Sequence, residues 1–153
     1  MYYLDANTTD DELSDELYEK ILDLTEKGDE FCEDEKWKKA IECYEKALAL
    51  VPEPKDDWET STWIYAALAD AYFFWGKYEE ALYQLNQALM CPDGLGNPFI
   101  TLRLAECNYE LGNMKKADEY FIEAYMLEGL DIFKDEDDYK EYVFKLLKEK
   151  GEM

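Results

Sequence analysis

The residue types that most often carry catalysis are scarce or scattered in this chain. Histidine is absent, and Ser14 and Ser61 are its two serines, so a Ser-His or Cys-His nucleophile pair cannot be assembled. Cys32, Cys43, Cys91 and Cys107 form no Cys-x-x-Cys pair and are dispersed among apolar positions, which argues against a four-ligand zinc cage and for small, reduced core residues. The Gly94-Leu95-Gly96 turn is too short to cradle a phosphate. Carboxylates are plentiful, and Asp131, Asp135, Asp137 and Asp138 are the densest group. Their spacing lacks the central Gly and terminal Glu of a calcium loop, so they read as a solvated helix cap or linker. No catalytic residue, metal or cofactor is expected, and the function falls to binding.

Charge then restricts what could be bound. Asp and Glu number 38 against 16 Lys and Arg, a formal net charge of −22. Such a surface repels nucleic-acid backbones and anionic lipid and favours a basic partner. Residues 1–36 carry 14 acids and 3 bases, half of the net charge, so the first helix should dominate salt-sensitive association. With 48% hydrophobic and 16% aromatic residues, the chain is nonetheless too apolar for a disordered acidic tail and should fold as one domain over 1–153. Its opening residues, Met1-Tyr2-Tyr3-Leu4-Asp5, lack the basic and apolar regions of a secretory signal, and no apolar run reaches the roughly 18 residues of a membrane span. A cytoplasmic protein is expected.

The elements that would present this surface show an internal period. Ala-x-x-x-(aromatic or Leu)-x-x-Ala occurs at Ala40-Tyr44-Ala47, Ala81-Leu85-Ala88 and Ala117-Phe121-Ala124. Alanines seven apart share a helix face, and small side chains there let a second helix approach while the large residue between them fills the groove. Trp37, Tyr78 and Met114 stand just ahead of the three motifs, the latter two directly after Gly76-Lys77 and Gly112-Asn113, which marks tight glycine turns between paired helices. Upstream, Leu24, Gly28 and Phe31, then Tyr65, Leu68, Ala69 and Tyr72, then Leu104 and Ala105 recur at helical spacing.

On these residues the chain resembles the tetratricopeptide repeat family. The first repeat carries the pattern at Leu24, Gly28, Phe31, Trp37, Ala40, Tyr44, Ala47 and Pro52. The second has Leu85 in place of the aromatic and Pro92 one place early, and the third has Asn108 for Tyr and Gly129 for Pro. The resemblance implies an all-α fold of three helix-turn-helix repeats in a right-handed α-solenoid. Repeats fall at 21–54, 62–95 and 98–131, and residues 1–20 extend the first helix from Asp10 through Leu13 and Leu17. Pro52 to Asp57 should loop out between the first two repeats, and Cys91 to Pro98 should join the second and third. A helix over 136–150, with Tyr139, Tyr142, Val143, Leu146 and Leu147 on one face, caps the apolar edge of the last repeat.

In that family the first helices of successive repeats line a concave groove. The corresponding positions here are Leu22, Thr25, Asp29, Cys32 and Glu33; then Trp63, Ala66, Asp70, Phe73 and Phe74; then Phe99, Leu102, Glu106, Tyr109 and Glu110. The resemblance thus implies a partner site of aromatics (Trp63, Phe73, Phe74, Phe99, Tyr109) and carboxylates (Asp29, Glu33, Asp70, Glu106, Glu110) beside a single cation, Arg103. Aromatics anchor apolar and cationic groups, and carboxylates accept bonds from Lys or Arg. Family members that clamp a peptide carboxylate use Lys and Asn where this chain has Thr25, Asp29 and Phe99, so that role is not expected. An alternative reading packs several of the aromatics into the core beneath the last helix.

A further resemblance lies in Gly96-Asn97-Pro98-Phe99, Arg103-Leu104, Glu110-Leu111-Gly112-Asn113, Ala124 to Gly129 and Ile132-Phe133. These stretches look like those of small bacterial tetratricopeptide immunity proteins encoded beside polymorphic toxins. That resemblance implies sequestration of a basic toxin domain, such as a nuclease. The alternatives are a chaperone for a secreted effector and a self-associating scaffold that forms homo-oligomers.

Overall fold

The computed structural model describes residues 13–153. Among them are seven α-helices and no strand: α1 Asp15–Glu33, α2 Trp37–Leu50, α3 Glu59–Phe74, α4 Tyr78–Leu89, α5 Pro98–Glu110, α6 Met114–Glu128 and α7 Lys140–Glu149. The all-α class and the paired-helix repeats are therefore as predicted. α1 starts ahead of residue 21, while residues 1–12 of the predicted extension, Asp10 included, lie outside the described residues. Its start has a clear cause: the Ser14 hydroxyl accepts from the Leu17 amide at 3.1 Å, and Asp15 and Glu16 complement the positive end of the helix.

The three hairpins α1–α2, α3–α4 and α5–α6 turn by one device. The amide three residues past each first helix returns to a carbonyl five residues back: Lys36 to Phe31, Lys77 to Tyr72 and Asn113 to Asn108, each at 2.8 Å. The residue before that donor sits in the left-handed region, where Gly76 and Gly112 have φ of 83° and 80° at no steric cost. The first hairpin places Glu35 there, at φ 57°, so this turn carries strain that the other two lack.

The chain divides between Leu95 and Gly96 into two compact units. In the first, Gly28 of α1 faces Tyr44 of α2 so closely that a Cβ on Gly28 would lie 2.4 Å from the Tyr44 ring. The small-against-large pairing read from the sequence is thus a physical contact. Ile21, Tyr44, Val51, Ile64 and Leu68 form the buried centre. α3 is apolar on nearly every side, with Ala66, Ala67, Leu68, Ala69 and Ala71 all buried, as its position against both α2 and α4 requires. The predicted loop after α2 contains a cis Glu53-Pro54 bond and a short 3-10 turn, Lys55–Asp57, where Lys55 Nζ donates to the Val51 carbonyl at 2.7 Å. Thr62 Oγ1 donates to the Pro92 carbonyl at 2.6 Å and ties the start of α3 to the segment after α4.

In the second unit α5 is capped by Asn97, whose side chain accepts from the Phe99 and Ile100 amides, with Pro98 in the first turn of the helix. Its core joins Ile100, Leu104, Ala117, Phe121 and Ala124 to Phe133, Val143 and Leu147. α6 ends at Gly129, and a 3-10 turn, Leu130–Phe133, brings the buried Phe133 ring to 6.4 Å from Phe121. α7 starts at Lys140 rather than at residue 136, because the amides of Tyr139 and Lys140 both close on the Glu136 carbonyl in a turn before the helix proper.

Candidate protein-binding site

The first unit holds a pocket of about 230 Å³ lined by Cys32 and Glu33 of α1, Tyr44 of α2, Ala67, Asp70 and Phe74 of α3, and Trp37 at the start of α2. Its aromatic wall is the stacked pair Trp37 and Phe74, with ring centroids 6.1 Å apart and planes 23° from parallel. Phe73 meets Phe74 edge-on at 5.3 Å and Tyr78 at 5.4 Å, which fixes the orientation of a ring that is 56% exposed.

The acidic side of the pocket is sorted by burial. Glu33 is exposed, while Asp70 is only 6% exposed. Asp29, the predicted groove carboxylate one repeat before Asp70, accepts the Tyr44 hydroxyl at 2.6 Å. Burial raises the Asp29 carboxyl above the usual range, and the Tyr44 bond partly offsets that rise. Tyr44 is held as the neutral phenol, its pKa pushed far up by burial and then by the Asp29 bond. Asp29 is therefore a support for the pocket wall.

Cys32 lies 3.5 Å from the Tyr44 hydroxyl. Burial, with lesser contributions from Asp29 and Asp70, raises its thiol pKa against the lowering effect of the Tyr44 bond. It is thus a protonated wall group and a poor nucleophile. Burial similarly lifts Cys91 to about 11. Among the described residues no group of three or more acidic or cysteine side chains is placed to hold a metal ion, and no helix is long and apolar enough to cross a membrane.

The remaining predicted site residues have several fates. Trp63 is half-buried against the core of the first unit. In the second unit Phe99 is exposed, but Glu106 is fully buried and accepts from Arg103 Nη1 at 2.7 Å. That carboxylate and the one predicted cation answer each other within one helix turn. Tyr109 packs edge-on against Tyr139 and Tyr142 at 5.3 and 5.0 Å and against Phe121 at 6.5 Å. Glu110 accepts the Tyr139 hydroxyl at 2.7 Å. Packing beneath the last helix is the arrangement adopted at Tyr109.

Glu33, Asp70 and Phe74 are thus the predicted residues that share a pocket. Cys32, Trp37, Tyr44 and Ala67 complete it, and the repeat pattern had assigned Trp37 and Tyr44 to packing. The available signal was the place of Trp37 immediately after the α1 turn, where a large ring reaches the end of the hairpin.

This geometry is that of tetratricopeptide repeats, and residues 27–89 match the tetratricopeptide repeat family model. Similar solved structures agree. The second such domain of Spaghetti (RPAP3), bound to the HSP90 peptide SRMEEVD, is 25% identical with a TM-score of 0.62 over 75% of this chain and 100% of that one. PcrH in complex with the chaperone binding region of PopB is 20% identical, with a TM-score of 0.64 over 89% and 98%. The Yersinia enterocolitica type III secretion translocator chaperone SycD is 18% identical, with a TM-score of 0.66 over 92% and 98%. A search of curated proteins finds no match. The fold is one whose typical work is protein–protein interaction rather than catalysis.

Proposed function

We propose that this protein binds and neutralises a basic toxin domain, as an immunity protein does. The observation that supports this reading is the pocket of the first unit, where the Trp37–Phe74 wall meets Glu33 and Asp70 in a chain of net charge −22. Aromatic burial slows release of a partner, and unbalanced negative charge speeds its capture. A nuclease suits the scheme, since its phosphate-binding surface is the one that carboxylates would cover. An acidic peptide of the kind bound by Spaghetti does not suit it. Thr25 turns its hydroxyl to the Leu22 carbonyl, Asp29 is engaged by Tyr44, and Arg103 by Glu106.

A pull-down from the native host at low and high salt tests the proposal, with retained proteins identified by mass spectrometry. The expected result is one folded basic domain, released by salt and lost from a Glu33→Lys, Asp70→Lys variant. Recovery of several unfolded secreted proteins would instead favour a secretion chaperone. That reading draws support from the likeness to PcrH and SycD and from the exposed Phe74 ring beside the pocket. Recovery of the bait alone would point to a self-associating scaffold.

A further inference from the structure

We infer that one ordered water molecule is built into the first unit at the start of α3, where it accepts from the Trp58 indole N–H and hydrogen-bonds the Ser61 hydroxyl. The site goes beyond the proposed function and does not depend on it.

Two polar atoms carry the inference. Trp58 Nε1 and Ser61 Oγ are both shut off from solvent, and neither has a hydrogen-bond partner among the described residues. Ser61 is 0% exposed, and Trp58 packs against the buried centre of the first unit. Other hydroxyls of the chain avoid this condition. Thr25 donates to the Leu22 carbonyl and Thr101 to that of Asn97, each within its own helix start or turn, while Thr62 reaches across to Pro92. Ser61 does neither, and the Trp58 carbonyl one turn back accepts the Ser61 amide at 3.1 Å. A buried donor or hydroxyl with no partner forfeits its hydration outright. Immobilising one water costs less than leaving two such groups dry.

Register brings the two groups to one side of the helix. Ser61, Ile64, Leu68 and Ala71 recur every three or four residues along α3, and the last three belong to the buried centre. Trp58 stands three residues ahead of Ser61, at the N-cap. Both therefore border the same stretch of core.

The chemistry of the pair selects the ligand. An indole N–H only donates, so the ligand must accept, which excludes a bare cation. Asp56, Asp57 and Glu59 flank Trp58 in the chain, and Lys55 is engaged by the Val51 carbonyl and Glu53, so an anion would meet repulsion. Water is neutral, accepts from the indole, and can donate to or accept from the hydroxyl.

The test uses the isotopically labelled full chain and NMR cross-relaxation between solvent water and the indole protons, with Trp58→Phe identifying the Trp58 resonance. A cross-peak at the Trp58 indole proton with the sign of a long-lived water is expected, and it should weaken in Ser61→Ala. The same variant, followed by urea unfolding, should raise the unfolding equilibrium constant about tenfold, because it takes a partner from the water and from Trp58. A dry site predicts the opposite sign, since Ala would remove a buried hydroxyl that nothing satisfies and is the better helix former. No long-lived water at Trp58, a contact unchanged by Ser61→Ala, or a variant as stable as or more stable than the parent chain would each overturn the inference.

Discussion

Removing the Tyr44 hydroxyl isolates the bond that supports the pocket wall. Tyr44→Phe keeps the ring that fills the space against Gly28, so no cavity opens, and deletes the donor held 2.6 Å from Asp29. A hydrogen bond to an ionised acceptor contributes about 1.5–3 kcal/mol to stability, against about 0.5–1.5 kcal/mol for a neutral one. The loss should therefore depend on the charge state of Asp29. Because burial raises the Asp29 pKa above its unfolded value, the folded state holds that proton more tightly. The fold therefore gains stability as pH falls through the raised value and loses it as pH rises. The Tyr44 bond opposes this effect by favouring the carboxylate, so its deletion costs about 2 kcal/mol at pH 7 and about half as much once Asp29 is protonated. All four tryptophans, Trp37, Trp58, Trp63 and Trp75, lie in the first unit, so urea unfolding followed by indole fluorescence reports on the relevant half of the chain. Asp29→Asn should abolish the pH dependence of the Tyr44→Phe effect. A loss equal at pH 7 and at acid pH, or one below about 0.5 kcal/mol at pH 7, would refute the account of this bond.

Three more outcomes are expected. Gly28→Ala drives a methyl into the Tyr44 ring and should destabilise the first unit by about 1–3 kcal/mol in the same urea assay, since overpacking a filled contact forces both helices apart. Glu35→Gly relieves the left-handed strain that the equivalent Gly76 and Gly112 avoid. It should stabilise the first unit by about 0.5–1 kcal/mol, the strain relieved less the added chain entropy, and a lower urea midpoint would contradict it. Phe121→Ala removes a fully buried ring that contacts Tyr109, Phe133, Tyr139 and Tyr142. It should cost the second unit about 3–5 kcal/mol, read from near-ultraviolet tyrosine circular dichroism, with tryptophan fluorescence reporting the first unit separately.

Legibility from sequence followed the range of the interaction. The paired helices were plain because Ala40, Tyr44 and Ala47 and their two counterparts repeat a local pattern, and the Gly76 and Gly112 turns mark their own φ. The Glu35 turn was less plain, since its residue type gives no sign of a left-handed conformation. Individual site residues were harder to read for a physical reason. Whether a groove carboxylate is available depends on a partner that sequence position does not reveal. Asp29 meets Tyr44 fifteen residues away across the hairpin, and Glu110 meets Tyr139 twenty-nine residues on. Glu106 and Arg103 stand at a spacing that allows an ion pair, but its burial follows from the packing of α5. Trp37 shows the converse: a residue assigned to repeat packing also presents one face to a pocket.

The last helix bears on whether a further hairpin can stack directly on the third. Tyr142 donates to Asp118 and Tyr139 to Glu110, while both rings lie against Tyr109 and Phe121. Chain growth by stacking, whether through a fourth hairpin or a second molecule at this end, would have to displace an aromatic seat that is already matched in shape and in hydrogen bonds. The third hairpin therefore ends in a stop written in tyrosines, and lengthening the array by evolution or design begins with removing them.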